Sequence, residues 1–419
     1  MKILICGVHP PVGYSGGRYH AWMMGEALSA AGHDVTLWTN VIPVYASDFE
    51  NFPGHTAIKL CIDKRFNRQP GKDFDWVVIV PDMSSTRAVY AKWLCCAYNS
   101  TARIALLNFE SANFFNAFAP VPRNPKLWQS WRTVSQYCDV IMSSAEISNQ
   151  YASKFYTDAP ESCSFVTCQP SINSVEAHLA KPVADARRIF VITRFGTSDS
   201  GHKGGEEFLS TLGREIEGCT VCLLVGKNGV PDHVKEILDE RSRECGFQYE
   251  ILRELNDRAK FSYLKSAKLM VFLSRFEGFG YPPVEAVSCG IPCIASNLEI
   301  LRETSGGALL YVDPTSVSEV KSAVGKVLRG EWVANNDDEE RVRRLVSFDS
   351  YTQRLSKIFS TEPSGEMPIL KFNQALAKIK IIIWACLYGV RWIYGKMRSA
   401  IRHSKRGVLR VLDPKRKFE

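Results

Sequence analysis

The chain has 419 residues, of which 45% are apolar and 23% charged. That length exceeds one typical core and predicts two domains with an appendage, and the composition excludes a mainly disordered chain. Residues 365–419 hold thirteen Lys and Arg against three acids, so the net charge of +8 is a tail of +10 on a body of −2. A basic nucleic-acid-binding body is excluded by that balance, and nucleic acid is not among the expected partners.

"KILICGV" at the N-terminus is too short for the apolar core of a signal peptide and runs straight into a turn, so it reads as a first buried strand. "GGRYHAWMMGEALSAAG" reads as a helix closed by Gly32, and "HDVTLWT" as the second strand. "DWVVIVP" (75–81), "ARIALLN" (102–108) and "CDVIMSS" (138–144) follow. Continuous Val/Ile/Leu runs without polar alternation mark strands covered on both faces, the habit of parallel sheets in α/β domains. After a proline-containing stretch the pattern restarts with "IFVITRFG" (189–196) and continues through "CTVCLLVG", "LMVFLS" and "IPCIAS". The expectation is two doubly wound parallel-sheet domains facing a cleft, at 1–172 and 188–345. A linker lies at 173–187, a crossover helix region at 346–364 and a basic tail at 365–419.

The thirteen cysteines are scattered, which fits reduced thiols in the cytoplasm rather than a disulfide framework. Cys219 and Cys222 form a C-x-x-C inside a strand-like run. Positions three apart on a strand face opposite ways, so they read as core residues. "DFD" at 73–75 precedes its strand and would lie at the wrong end of the sheet for a metal site.

The densest chemistry is "EGFGYPPVEAVSCG" at 277–290. Ligands of open α/β sheets bind beyond the carboxyl ends of strands, and Glu277 directly follows "LMVFLS". Gly278 and Gly280 allow the backbone to bend and its N–H groups to approach a ligand. Pro282 and Pro283 suit the first turn of a helix, with Glu285 expected in that same turn. A helix N-terminus favours phosphate. An anion site flanked by two hydroxyl-accepting carboxylates fits a nucleotide-sugar. The alternative is a plain strand–loop–helix with a capping glutamate, which accounts for Glu285 but less well for the glycines and prolines.

"SRFEGFGYPPVEAVSCGIPCIASN" resembles the E-x7-E signature of retaining glycosyltransferases of the GT-B fold, in the glycogen-synthase-like and mannosyltransferase-like family four. "GYSGGRYHAWMMGEALSAAGHDVTLWT" is similar to the family's opening, and "VITRFGTSDSGHKGGEEFL" to the start of its donor domain. The resemblance implies that Arg194 and Lys203 bind the donor diphosphate and stabilise the departing charge. It implies that Glu277 holds hydroxyls of the transferred sugar and Glu285 those of the ribose. Gly278, Phe279 and Gly280 would present backbone to the sugar or phosphate, with Gly204 beside Lys203. Gly16 and Gly17 would let the first loop approach the donor. Many relatives carry a catalytic His after an N-domain strand; here "ALLNFESANFF" has none, and Glu110, or Asn108, takes that place. No cofactor and no metal is expected, the nucleotide-sugar being a substrate.

Residues 373–405 read as a basic amphipathic helix, with Lys380, Arg391, Arg398 and Arg402 on one face and Trp384, Tyr388 and Trp392 along a flank. Its apolar stretch 381–390 would rise about 15 Å, half of a bilayer core of about 30 Å. It therefore fits an anionic membrane surface better than a span, or else a helix packed across the domains. The combined expectation is a peripheral enzyme on the cytoplasmic face, moving sugar to a lipid-linked or cell-envelope glycan acceptor. A nucleotide-sugar 2-epimerase of similar fold and a non-catalytic tethered subunit are the rivals.

Overall fold

The computed structural model describes residues 1–12, 16–83, 85–183, 187–195, 201–226, 228–360 and 378–386. Seven strands build the first sheet: β1 (Lys2–Gly7), β2 (Asp34–Thr39), β3 (Lys59–Ile62), β4 (Trp76–Ile79), β5 (Arg103–Asn108), β6 (Val140–Ser143) and β7 (Ser164–Thr167). Six build the second: β8 (Arg188–Thr193), β9 (Thr220–Val225), β10 (Gln248–Arg253), β11 (Ala267–Phe272), β12 (Cys293–Ser296) and β13 (Leu310–Val312). The orders are β3-β2-β1-β4-β5-β6-β7 and β10-β9-β8-β11-β12-β13. All neighbours are parallel. The two doubly wound domains expected from the apolar runs are present.

Helices alternate with these strands. In the first half they are α1 (Gly16–Ala30), α2 (Arg87–Asn99), α3 (Ala112–Phe118), α4 (Gln129–Ser135), α5 (Glu146–Phe155) and α6 (Ser174–Leu179). In the second they are α7 (Gly205–Ser210), α8 (Asp232–Cys245), α9 (Asp257–Lys265), α10 (Tyr281–Ser288), α11 (Glu299–Ser305), α12 (Val317–Leu328), α13 (Asn336–Leu345) and α14 (Phe348–Ser360).

Strand residues alternate between two cores, because successive side chains point to opposite faces. Ile3, Ile5, Val35 and Leu37 pack with α1, whereas Leu4, Cys6, Val77 and Ile79 pack with α2 and the α3–α4 region. The C-x-x-C obeys the same rule. Cys219 belongs to one core and Cys222 to the other, so the two thiols face away from each other. Asp75 sits at the entry of β4, where its carboxylate accepts the Lys2 N–H at 2.7 Å.

α14 returns to the first domain and lies along α1. The Trp76 indole N–H donates to the Phe359 carbonyl at 3.2 Å, and His20 Nε2 meets the Tyr351 hydroxyl at 2.6 Å. Burial, and then the Arg354 charge, lower the His20 pKa from its ordinary 6.5 to about 3. Below pH 6.5 the unfolded chain therefore binds a proton that the fold refuses. His20 alone should remove about 1.4 kcal/mol of stability per pH unit on acidification towards pH 3. Urea unfolding of wild type and His20→Gln at pH 7 and pH 5 checks this. The variant should lose less on going to pH 5, and an identical loss would refute the assignment.

Candidate active site

Each sheet reverses its winding direction once, between β1 and β4 and between β8 and β11. Crevices at such switch points are where ligands bind in open α/β sheets. The loop after β8 and the loop after β11 are stitched together there. The Arg275 N–H donates to the His202 carbonyl at 2.6 Å, Ser274 Oγ to the same carbonyl at 3.1 Å, and Thr193 Oγ1 to the Lys203 carbonyl at 2.9 Å. Gly204 has φ +71, and a Cβ there would lie 2.0 Å from the Leu273 carbonyl oxygen, so only glycine permits this contact. The stitching delivers Lys203 Nζ to Glu277 Oε1 at 2.7 Å, with the carboxylate 9% exposed. Two residues 74 positions apart in sequence thus form one charged pair in the crevice.

The first domain closes over this pair. Ser144 Oγ donates to the Gly278 carbonyl at 2.6 Å, and the Phe114 and Phe115 rings pack 5.0 and 4.8 Å from Phe276. Glu303 caps the start of α5 from the other domain, accepting the Glu146 and Ile147 N–H groups at 2.6 and 3.0 Å. Glu110, just beyond β5, faces the site and senses both Lys203 and Glu277. Burial raises its pKa, while Arg123 and Lys203 oppose the rise. Arg123 Nη1 lies 3.4 Å from Glu110 Oε1 and its guanidinium sits 4.1 Å over the Phe115 ring. Of the two residues read after β5, Glu110 faces the crevice, whereas Asn108 is turned inward and donates to Ser143 and Ser148. His202, between Phe115 and Phe276, is lowered to about 3 by burial and then by Lys203, Arg123 and Arg194, so it stays neutral at ordinary pH. Next to Glu277 a small, solvent-open cavity lies between the domains, walled by Phe114, Phe118, Ile147, Phe276, Leu298 and Ile300.

The second glutamate sits differently from expectation. α10 begins at Tyr281, with Gly280 as its left-handed cap at φ +92, so the first turn is Tyr281 to Val284. Glu285 falls in the next turn, because the prolines occupy N-terminal positions earlier than the spacing suggested. Its carboxylate is buried and accepts from Lys260 Nζ at 2.7 Å. Lys260 also meets Asp257 Oδ1 at 2.8 Å, and Asp257 Oδ2 accepts from Tyr19 and, at 2.9 Å, from Asn173. Burial raises the Glu285 pKa and Lys260 opposes it. For Lys260 the order reverses: burial pulls its pKa down, but Asp257 and Glu285 together hold it above the ordinary value. The Tyr281 hydroxyl is buried beside this cluster and has no hydrogen-bond partner among the described residues. Its ring stands 6.3 Å from Tyr19, edge-on.

The remaining predicted residues gather around the same crevice. Arg194 is exposed at the end of β8 and runs alongside Gly226. Gly16 and Gly17 open α1, the first facing Tyr281 and the second the Phe109 ring. Gly278 meets the Phe109 carbonyl, and Phe279 is buried 5.3 Å from Tyr281. Arg123, Lys260 and Ser144 were not legible beside the crevice, since each reaches it through tertiary contacts alone, whereas Tyr281 lies within 277–290 but carries no sequence signal of its own. Among the described residues, no group of His, Cys, Asp or Glu could hold a metal ion. Of the tail, helix 378–386 is described: Ile381 is fully buried, Trp384 lies 5.7 Å beneath Arg87 of α2, and Lys380 is exposed. Tyr388, Arg391, Trp392, Arg398 and Arg402 lie outside the described residues. No described helix is long and apolar enough to cross a membrane.

Residues 202–344, which hold Lys203 and both glutamates, match the family model described as glycosyl transferases group 1. The chain has the GT-B fold, and this segment of it is similar to the group 1 glycosyl transferases. The chain is 34% identical over 110 residues to O-antigen chain mannosyltransferase B of Escherichia coli, covering 26% of this chain and 28% of that one. It is 28% identical over 128 residues to the MMP alpha-(1->4)-mannosyltransferase of Mycolicibacterium hassiacum, covering 30% and 29%. These matches thus span less than a third of either relative. At the level of fold the likeness extends over most of the chain. Sucrose-phosphate synthase of Thermosynechococcus elongatus superposes with a TM-score of 0.63 at 16% identity, over 85% of this chain and 98% of that one. Anabaena HepE in complex with UDP-glucose superposes with a TM-score of 0.65 at 12% identity, over 86% and 99%.

Proposed function

We propose that this chain is a retaining glycosyltransferase that moves a hexosyl group from a nucleotide-sugar to a lipid-linked or cell-envelope polysaccharide acceptor. The observation that carries the reading is the Lys203–Glu277 pair, 2.7 Å apart, in the switch-point crevice beside the start of α10. Glu277 holds hydroxyls of the donor sugar. Lys203 and Arg194 take up the negative charge that grows as the diphosphate leaves, a role that needs preorganised cations and no metal. The acceptor oxygen bonds to the anomeric carbon on the face the phosphate vacates, and its proton passes to the departing phosphate oxygen. Glu285 takes the ribose hydroxyls, beside the Tyr281 hydroxyl, which has no partner among the described residues.

The similarity to mannosyltransferases makes a mannosyl donor the first to try, and the O-antigen enzymes among them support an envelope-glycan acceptor. The basic tail, together with the absence of a spanning helix among the described residues, supports a peripheral place on the inner face of a membrane.

Thermal-shift measurements against UDP-, GDP- and ADP-hexoses test the reading, since a ligand that binds only the folded state raises the midpoint. One nucleotide class should raise it by several degrees in wild type and not in Glu277→Ala. The glycoside formed should keep the donor's anomeric configuration by NMR. No shift with any nucleotide-sugar would sink the donor assignment, and an inverted product would sink retention.

A further inference from the structure

The segment that follows α3 has an unusual surface. Phe118, Val121 and Leu127 are 39, 47 and 46% exposed, and Pro120, Pro122 and Pro125 are exposed between them. Apolar side chains concentrated on one projection, and not scattered singly, mark an interaction site. The projection is also stiff. The Asn116 side chain clamps the Arg123 main chain from both sides, donating to its carbonyl and accepting its N–H, each at 2.8 Å. The Asn124 side chain accepts the Lys126 N–H at 3.0 Å, and the prolines restrict the rest.

Charge on this segment is one-sided. Residues 111–138 contain Arg123, Lys126 and Arg132 and not one Asp or Glu, though Glu110 and Asp158 from outside the segment face Arg123 and Arg132. Lys126 is exposed and makes no ion pair among the described residues. A second apolar projection lies on the same face of the sheet. Helix 378–386 exposes Ile379, Ile382 and Ile383 at 52, 52 and 51%, while Ile381 joins the core that holds Tyr90, Phe114 and Trp131.

The base of the projection leads straight to the chemistry. Arg123, at the clamp, is the residue that faces Glu110, and Phe118 is shared with the cavity beside Glu277.

We propose that loop 117–127 rests on an anionic lipid surface and that the acceptor enters the cleft from that surface past Phe118. The proposal rests on the glycosyl-transfer reading for its acceptor, but the docking itself stands on the loop. A protein partner is the weaker occupant, because three side chains and three prolines offer far less than the about 800 Å² per partner that a stable interface buries. Partial insertion into a headgroup layer needs only a few apolar side chains beside basic ones. Arg123 links the docked loop to Glu110, so docking and positioning of that carboxylate share one element.

Flotation of the full chain with phosphatidylglycerol/phosphatidylcholine vesicles tests this, with phosphatidylcholine alone as control. Wild type should float with the anionic vesicles. Val121→Glu/Leu127→Glu should float about tenfold less, with an unchanged thermal midpoint and unchanged donor hydrolysis without vesicles. Should that variant fold poorly, Val121→Trp gives an independent reading: its added emission should be quenched by brominated lipid in anionic vesicles. Flotation of the double variant equal to wild type, or no quenching of the Val121→Trp emission, overturns the proposal. A wild-type dimer that the double substitution dissociates, with flotation unaltered, would assign the loop to a second copy instead. Loss of donor hydrolysis in wild type would strike the transfer reading and leave the docking result intact.

Discussion

Lys203→Ala is expected to lower donor turnover by about 10²- to 10³-fold, the usual cost of removing one preorganised group from a developing charge. The loss should fall on kcat rather than on KM, because the charge appears only as the diphosphate departs. The amine reaches the crevice from a loop held by four separate contacts: Thr193, Ser274, Arg275 and the close approach of Gly204 to Leu273. It is paired with Glu277, which carries the sugar contact in the proposed mechanism. Removing the amine therefore also frees that carboxylate to move. Lys203→Arg, which keeps the charge but replaces the compact ammonium with a broad planar group, should recover only part of the loss. A steady-state comparison of the three proteins decides the point. Turnover within twofold of wild type for Lys203→Ala would show that the departing charge is stabilised elsewhere.

Lys260→Ala is expected to have the largest effect on stability. The amine lies between two buried carboxylates, Glu285 at 2.7 Å and Asp257 at 2.8 Å. Its removal leaves both without their cation. Breaking a buried pair in this way costs about 3–5 kcal/mol, equivalent to a fall in midpoint of about 10 °C for a domain of this size. The effect has a pH signature. Burial already raises the Glu285 pKa, and loss of Lys260 would raise it further. A carboxyl whose folded pKa is raised costs nothing below its unfolded pKa, and its penalty grows as pH rises from there to the folded value, above which it is constant. The deficit of the variant should thus be small in acid and grow towards neutral pH. Calorimetry of wild type and Lys260→Ala at pH 5 and pH 8 checks this, and an equal deficit at both would refute the buried-pair account. Because Asp257 also accepts from Tyr19 of α1, the variant should loosen the contact between domains as well as the donor domain itself.

Much of the architecture is present in the amino-acid order. The inner strands β1, β4, β5, β8, β9 and β11 are continuous apolar runs because both faces of a parallel sheet are covered by helices. The strands that give no such run are β3, β7 and β10, three of the four sheet edges, the fourth being β13 within the apolar run 308–312. An edge strand is covered on fewer sides, so it is shorter or more polar: "KLCI" is largely exposed, "QYEILR" alternates, and β13 has three residues. The candidate site divides in the same way. Glu277, the glycines and the prolines lie within one stretch of chain whose strand-to-helix turn dictates local geometry, and that stretch could be read directly. Glu285 was legible as a residue but not as a neighbour of Lys260, because its turn of α10 depends on where Tyr281 starts the helix.

What only the tertiary structure decided is which distant groups share a charge environment. Arg123 meets Glu110 across a clamped loop, Lys203 meets Glu277 across two strand ends, and Tyr19 meets Asp257 across two domains. Electrostatic pairing acts through space over a few ångströms, whereas sequence patterns report only what is periodic along one element. A lone arginine in a proline-rich loop, or a lone lysine on a helix, has no period to betray it.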